Sequence, residues 1–146
     1  MAAPELVPLG SLTAVMGDSH LVRGGPMGTR IVATVADVTW SGDRVNATLV
    51  SPAAADWLTM GPDRSYGTLD VRMTLETDDD AIIHIEYQGR IDLGSGKAVS
   101  APLFQTGAEQ YEWLNRVQAI GIGQNRLPTD EAPGQITYDL FEVRPA

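Results

Sequence analysis

Apolar and polar residues alternate along residues 69–88, and this alternation is the strongest structural signal in the chain. Residues 69–76 read Leu-Asp-Val-Arg-Met-Thr-Leu-Glu, and residues 81–88 read Ala-Ile-Ile-His-Ile-Glu-Tyr-Gln. A period of two places successive side chains on opposite faces of a strand. The Thr-Asp-Asp-Asp segment between them is typical of a turn. We therefore predict an antiparallel hairpin with one apolar face and one polar face.

The length of the hairpin loop decides which residues face each other. A three-residue loop at residues 78–80 pairs apolar with apolar and polar with polar residues, as in Leu75/Ile83, Met73/Ile85, Val71/Tyr87, Thr74/His84, Arg72/Glu86 and Asp70/Gln88. A slip of one residue would move every side chain to the other face. Loops of this length commonly end with a residue in the left-handed region, which Asp tolerates better than most. We predict that conformation for Asp80.

Similar β-like runs, separated by Gly, Pro and Asp, continue along the rest of the chain. They predict strands at residues 11–16, 30–39, 44–49, 68–76, 81–91, 117–122 and 135–143, with weaker ones at 6–9 and 98–104. Short strands at this spacing are typical of an all-β sandwich or barrel. Since no repeat, low-complexity segment or linker divides the 146 residues, we expect one domain over residues 1–146.

One short helix is expected near residues 107–116. Thr106 followed by Glu109 has the spacing of a capping box, and the residues up to Arg116 are good helix formers. A helix of about two turns is marginal alone and must lean on the sheet. Closure of a sheet removes its exposed edges. The predicted fold is therefore an antiparallel β-barrel of about eight or more strands with one short helix.

Composition and charge narrow the possible partners. The net charge of −9 argues against nucleic acid and anionic membrane surfaces as partners. No apolar run reaches 18 residues and no signal peptide is apparent, so we expect a cytoplasmic protein. The absence of Cys excludes thiolate chemistry, and Lys97 is the only lysine. His20 and His84 have no further ligands at metal-site spacing, so we expect no metal and no cofactor.

The polar face of the predicted hairpin is the first candidate for chemistry. It carries Asp70, Arg72, His84 and Glu86. If this face is turned into the barrel, a carboxylate held against Arg72 would have an altered pKa and could transfer protons. If it faces water, Arg72 and Glu86 form a surface pair that contributes a few tenths of a kcal/mol. The pattern alone leaves both arrangements open.

Further candidates lie outside the hairpin. Asp56 and Trp57 follow Pro-Ala-Ala-Ala and are expected in a loop at the barrel mouth, as an acid or base beside an aromatic platform. A small-molecule pocket would be lined by Trp57, Tyr87, Phe104, Trp113 and Asn115. The alternative is that the aromatic residues pack the core, with Trp113 as a plug of the barrel.

The chain resembles a known bacterial and fungal family of small proteins. The resemblance rests on the order and spacing of motifs over roughly residues 6–143: Asp56-Trp57, Gly67-x-x-Asp70-x-Arg72, Thr77-Asp78-Asp79-Asp80-Ala81, Tyr87-x-Gly89, Phe104-x-Thr106-Gly107, Tyr111-x-Trp113-Leu114-Asn115 and Tyr138-Asp139-Leu140-Phe141. The family is domain-of-unknown-function family 3237. The resemblance implies an antiparallel β-barrel and a self-associating protein, most simply a homodimer.

Three functions are compatible with these observations. The first is a cofactor-independent lyase, isomerase or cyclase that acts on a small carbonyl or phenolic molecule. In it Asp70 or Glu86 shuttles the proton, with Arg72 as clamp and His84 and Asp56 as further acid–base groups. The second is a non-catalytic barrel that binds a small molecule. The third is an oligomerising structural protein, which a packed interior without a cavity would favour.

Overall fold

Ten antiparallel strands and one short 3₁₀ helix make up the protein, and the structure, a computed structural model, describes residues 1–146. The strands are β1 (Glu5–Gly25), β2 (Gly28–Ser41), β3 (Asn46–Leu49), β4 (Ala55–Met60), β5 (Tyr66–Thr77), β6 (Ile82–Asp92), β7 (Lys97–Ser100), β8 (Leu103–Gln105), β9 (Ala119–Arg126) and β10 (Gln135–Arg144). The 3₁₀ helix spans Glu109–Arg116, between β8 and β9.

Eight of the strands close into a barrel. The ring runs β5-β4-β2-β1-β10-β9-β7-β6 and returns to β5 through the β5–β6 pairing. The two remaining strands extend it: β3 lies between β2 and β5, and β8 pairs with β6. The predicted all-β barrel with one short helix is confirmed.

The β5–β6 hairpin has the predicted register. Leu75 faces Ile83, Val71 faces Tyr87 and Arg72 faces Glu86. The backbone N–H of Thr77 donates to the carbonyl of Ala81 at 2.8 Å, which closes the three-residue loop. Asp80 has φ of 68°, so the predicted left-handed conformation is confirmed.

Two segments differ from the prediction. Asp56 and Trp57, expected in a loop, lie on β4 between β2 and β5. The preceding Pro and alanines have low strand propensity, so the sequence pattern did not indicate a strand here. Strand β4 depends on its pairing with β2 and β5 rather than on its own propensity. Strand β1 continues to Gly25 instead of ending near residue 16, because it pairs with β2 as far as Gly28. Glycines in this part of β1 lower its intrinsic strand propensity.

The short helix is confirmed, but its capping differs. The N-cap is Ala108, and the helix has 3₁₀ geometry. The expected capping box between Thr106 and Glu109 does not form: the Thr106 hydroxyl instead accepts the N–H of Ala108 at 3.1 Å and donates to the carbonyl of Ile82 at 2.7 Å. The helix is thereby tied to the start of β6.

The inward faces of the strands form one apolar core. Its fully buried members include Trp40, Met73, Leu75, Ile83, Ile85 and Leu114. The 3₁₀ helix packs Tyr111 and Leu114 onto this core, and the Tyr111 hydroxyl donates to Asp79 in the β5–β6 loop at 2.7 Å. We call the part of the barrel covered by this helix the helix end.

Candidate functional site

The polar face of the β5–β6 hairpin lies on the outer wall of the barrel. Val71 and Met73 are buried in the core, whereas Arg72 and Glu86 are exposed. Of the two arrangements that the pattern left open, the one in which this face turns into the barrel is therefore wrong. The physical reason is that burying two apolar strand faces stabilises the fold, whereas Arg72 would carry a large desolvation cost inside.

The outer-wall residues make local contacts only. His84 lies between the Thr74 hydroxyl, 3.0 Å from Nδ1, and a Glu86 carboxylate oxygen, 3.1 Å from Nε2. Arg72 does not form an ion pair with Glu86, and its guanidinium carbon lies 6.0 Å from the centre of the Trp57 ring. Contacts of this kind contribute a few tenths of a kcal/mol each. The outer wall thus brings these residues near each other without enclosing them.

Asp56 is the predicted acid that points into the barrel. Strand β4 pairs Asp56 with Val71, so its side chain faces inward and that of Trp57 faces outward. The side chain is almost fully enclosed, since only 9% of the residue is exposed. One carboxylate oxygen accepts the backbone N–H of Asp70 at 3.1 Å. No residues of β4 and β5 pair between Asp56/Val71 and Thr59/Thr68. The Asp56 carboxylate therefore accepts a backbone N–H of β5 that the neighbouring strand leaves free.

Burial changes the acidity of Asp56. Desolvation raises the pKa of its carboxyl group from 3.8 to about 6. The hydrogen bond from Asp70 lowers the pKa, and the negative charge of the Asp70 side chain raises it further. No cation stabilises the carboxylate form. A group with this pKa exchanges its proton readily near neutral pH, which is the requirement for a general acid or base.

Two tyrosines lie inside the barrel near Asp56. Tyr87 on β6 and Tyr138 on β10 meet edge to face, with ring centres 5.5 Å apart. Burial raises the pKa of both phenols, and the negative charge of Asp56 raises each pKa further. Both hydroxyl groups therefore stay protonated and can donate hydrogen bonds.

Two buried hydroxyl groups in this region form no hydrogen bond of good geometry, although the neighbouring Tyr87 and Ser100 hydroxyls lower the pKa of Tyr138 against the larger effect of burial. They are the Tyr138 hydroxyl and the Ser100 Oγ, both buried. Buried polar groups are nearly always paired, and an unpaired one costs about 1–3 kcal/mol. We call Asp56, Tyr87, Ser100 and Tyr138 the interior polar cluster. A polar molecule bound in the barrel could accept hydrogen bonds from the two hydroxyl groups and exchange a proton with the Asp56 carboxyl.

Glycines on β9 make room for this cluster. A Cβ atom at Gly121 would lie 2.5 Å from the Ser100 Oγ, and one at Gly123 would lie 2.6 Å from the Tyr138 ring. The strand can therefore pass close to Tyr138 only without side chains at these positions. The space enclosed beside Tyr87, Ser100 and Tyr138 is too small for a water molecule, so the interior is packed.

The other predicted pocket residues lie at the helix end. Phe104 stacks on Trp40 at 5.3 Å, and the half-buried Trp113 lies under the guanidinium of Arg44 at 4.4 Å. The Asn115 amide accepts the N–H of Thr106 at 2.8 Å and donates to its carbonyl at 2.9 Å. These residues hold the helix and the core in place. Of the predicted aromatic residues, Tyr87 belongs to the interior polar cluster.

A second concave region lies on the outer wall, over β6, β7 and β9. It is an open cleft of about 820 Å³ whose lining includes Tyr66, Arg90, Lys97, Val99 and Ile122. No three His, Asp or Glu side chains converge to hold a metal ion. No helix has the length and apolar character needed to cross a membrane.

The sequence prediction missed Ser100 and Tyr138. Tyr138 lies on the same face of β10 as Ile136 and Leu140, two residues away on either side, and all three are buried. Gly121 and Gly123 also lie two residues apart, on the neighbouring β9, where they pair with Leu140 and Tyr138. Two glycines at alternate positions beside an inward tyrosine are the sequence signal for this site.

Comparisons with known proteins agree with this architecture. A family model described as a protein of unknown function, DUF3237, matches residues 4–143. Among curated proteins, none matches the chain.

Three solved structures share the fold. The first, a conserved protein of unknown function from Rhodopseudomonas palustris, has a TM-score of 0.84 and 19% identity over 98% of this chain and 99% of its own. The second, a β-barrel-like protein from Acinetobacter baumannii, has a TM-score of 0.81 and 20% identity over 99% and 98%. The third, described as an enzyme from Penicillium herquei, has a TM-score of 0.72 and 21% identity over 96% of both chains.

Proposed function

The chain belongs to the DUF3237 family of proteins of unknown function, and we propose that it is an enzyme that moves protons on a small organic molecule inside the barrel. The observation that carries the proposal is the interior polar cluster: a buried carboxyl group with a pKa of about 6 that shares the barrel interior with two buried hydroxyl groups without a well-aligned hydrogen bond. The reaction classes that need only proton movement are those of a lyase, an isomerase or a cyclase. Fold similarity to a protein described as an enzyme is consistent with this class.

Each member of the cluster has a role in the proposal. Asp56 takes a proton from a C–H or O–H group of the substrate and returns it to another atom of the same molecule or, in a lyase, to the group that leaves, so the reaction involves no net oxidation. The hydroxyls of Tyr138 and Ser100 donate to the carbonyl or phenolic oxygen on which negative charge develops. Tyr87 holds the Tyr138 ring through their edge-to-face contact.

The charge of the site favours neutral substrates. Asp56 becomes anionic above pH 6, and no cationic side chain compensates it. A carboxylate or phosphate group brought next to it would be repelled in a low-dielectric interior. The proposed substrates are therefore uncharged ketones or phenols rather than carboxylic acids or phosphate esters.

Entry to the cluster requires the wall to move, because the enclosed space holds no water molecule. The wall beside Asp56 has unpaired positions in the ladder: no residues pair between Asp56/Val71 and Thr59/Thr68. Fewer backbone hydrogen bonds hold β4 to β5 there than hold the β5–β6 pair, which is continuous from Tyr66 to Glu76. We propose this gap as the place where the barrel opens.

Hydrogen exchange at carbon tests the proposal on simple model ketones. Phenylacetone, a neutral ketone, is incubated with the protein in D₂O at neutral pH, and loss of its CH₂ signal is followed by proton NMR. Phenylpyruvate, an anionic ketone with a similar CH₂ group, serves as the charge control. We expect exchange of phenylacetone to be accelerated and that of phenylpyruvate to stay at the buffer rate.

The matched variants are Asp56→Asn inside the barrel and Asp70→Asn on its outer wall. Asp56→Asn should reduce the protein-dependent rate at least about 100-fold, the typical contribution of a general base. Asp70→Asn should retain most of it, since the Asp70 backbone N–H makes the contact with Asp56 and the Asp70 charge is the smallest of the three effects on the pKa of Asp56. Equal rates for the wild type and Asp56→Asn would overturn the proposal.

The packed interior favours a second candidate, a structural protein without catalysis. In that case small ketones and phenols would neither bind nor exchange, and no variant of the interior polar cluster would alter the protein's behaviour except its stability. A barrel that only binds a small molecule would differ again. It would bind phenylacetone equally well as wild type and as Asp56→Asn, with no exchange in either.

A further inference from the structure

The β1–β2 hairpin extends beyond the barrel as an arm. Strand β1 pairs with β10 only as far as Val15, and from there to its end it pairs with β2 alone. The residues 17–24 are all exposed. We call this stretch the free edge of β1, because the backbone groups on its second side meet no other strand.

The free edge has few of the features that usually protect an exposed strand, since the irregularities in its pairing with β2 lie at its two ends, between Met16 and Ser19 and between Val22 and Gly25. Natural edge strands are often blunted by Lys, by Pro or by covering segments. The free edge contains neither Lys nor Pro, and it exposes 42% of Leu21 and 53% of Val22. Its charged residues are Asp18 and Arg23, one near each end.

We propose that two copies of the chain pair antiparallel along this free edge and form a two-fold symmetric dimer centred on Leu21. The pairing joins the two arms into one continuous sheet by backbone hydrogen bonds. Because an isologous pair of identical antiparallel strands has a two-fold axis, the residue at its centre faces its own copy. With Leu21 at the centre, Val22 faces His20 of the second copy and Arg23 faces its Ser19.

Side-chain complementarity favours this register over one centred on the neighbouring Val22, which would set Leu21 against Arg23. Leu21 also lies beside Ile31 of β2, so the two leucines at the centre complete an apolar row of four side chains across both arms. A pairing centred on His20 would instead set Leu21 against Ser19 and Val22 against Asp18. Pairings centred on Asp18 or Arg23 would place like charges directly opposite each other, which is destabilising.

The charge of the arm favours a second copy of this chain as the partner. Residues 16–34 contain one acid and two arginines, whereas the chain as a whole carries −9. Two anionic copies can therefore approach each other at the arm with the least repulsion. In the register centred on Leu21, Asp18 faces a glycine and Arg23 a serine, so no like charges meet.

Charge substitution at the centre tests the proposal by sedimentation velocity. Leu21→Lys places two ammonium groups opposite each other at the axis, and Leu21→Asp places two carboxylates there. Each single variant should raise the dimer dissociation constant at least about tenfold relative to the wild type. An equimolar mixture of the two variants should form heterodimers more tightly than either variant pairs with itself, because opposite charges then meet at the axis.

Cysteine cross-linking tests the register. Directly opposed residues of antiparallel strands have Cα atoms about 4.5–5.5 Å apart, within the range that a disulfide spans. The chain contains no cysteine, so Leu21→Cys introduces a single thiol in each copy. Under mild oxidation this variant should form a covalent dimer at least about tenfold faster than His20→Cys, whose thiols would lie apart on either side of the axis.

Controls separate a lost interface from a lost fold. Position 21 is exposed, so circular dichroism should match the wild type in each variant, and Tm should match at protein concentrations where the wild type is monomeric. Leu127→Lys and Leu127→Cys make the same changes at an exposed leucine after β9, and should neither weaken the dimer nor cross-link.

Four results would each overturn the proposal. They are a monomeric wild type, charge variants that dimerise like the wild type, a mixture that stays monomeric, and faster cross-linking of His20→Cys than of Leu21→Cys. None of these results depends on catalysis by Asp56.

Discussion

The helix end and the interior polar cluster use the same residue types in opposite ways. At the helix end, the hydroxyls of Thr77 and Tyr111 both donate to Asp79, and these hydrogen bonds lower the pKa of its carboxyl group. In the interior polar cluster, burial raises the pKa of Asp56, and the Tyr138 hydroxyl forms no hydrogen bond of good geometry.

This difference separates the part of the barrel that is optimised for stability from the part that is not. Satisfied hydrogen bonds and full apolar burial stabilise the helix end. An uncompensated acid and unpaired hydroxyls destabilise the fold where they lie. Natural proteins keep such violations mainly at functional sites. The comparison therefore predicts opposite responses when each region is mutated.

The largest effect is expected at the helix end. Leu114→Ala should lower the free energy of unfolding by about 4 kcal/mol, since Leu114 is fully buried and its truncation leaves a cavity. Urea denaturation measures this change. Leu103→Ala, at an exposed position on the adjacent β8, is the matched control and should change little. Equal effects of the two substitutions would contradict the packing described for the helix end.

Asp56→Asn should have the next largest effect, with the opposite sign. Because the pKa of Asp56 is 3.8 when unfolded and about 6 when folded, its ionisation destabilises the fold as pH rises through 6. Above pH 7 the variant should be more stable than the wild type by about 3 kcal/mol, and the difference should vanish below pH 4. Urea denaturation at both pH values measures it.

Removal of one hydroxyl group from each region sharpens the comparison. Tyr111→Phe removes the hydrogen bond to Asp79 and should lower Tm by roughly 2–4 °C. Tyr138→Phe removes a buried hydroxyl that forms no hydrogen bond of good geometry, so Tm should stay the same or rise. Calorimetry at one pH measures both. A larger loss of stability for Tyr138→Phe would show that its hydroxyl has a partner after all.

The smallest effect is expected on the outer wall. Arg72→Ala removes a distant contact with the Trp57 ring and should change stability by less than about 0.5 kcal/mol. Proton exchange into phenylacetone should be unaffected. If this variant lost exchange activity, the catalytic site would lie on the polar face of the β5–β6 hairpin and not in the barrel interior.

The β5–β6 hairpin was predictable in full because its register depends on neighbours in sequence. The alternating pattern and the Asp-rich loop determine the pairing locally, down to the conformation of Asp80. The same pattern did not settle which face points inward, since that depends on what the other strands bring to the interior. Once Trp40, Tyr138 and the apolar faces fill the barrel, Arg72 has no place inside.

The interior polar cluster was predictable only in part. Asp56 was a candidate acid, but its strand was missed because β4 owes its conformation to β2 and β5 on either side. Ser100 and Tyr138 lie on strands distant in sequence from Asp56. They come together with it only through closure of the barrel, which residue patterns do not specify.

The most direct test of the account is the titration of Asp56 itself. Carboxyl carbon chemical shifts, measured by NMR across the pH range and assigned by comparison with Asp56→Asn, report its pKa. We predict a midpoint at about 6 for Asp56 and a midpoint below 3.8 for Asp79 in the same spectra. A midpoint for Asp56 near the ordinary value of 3.8 would contradict the claim that the barrel encloses an uncompensated acid.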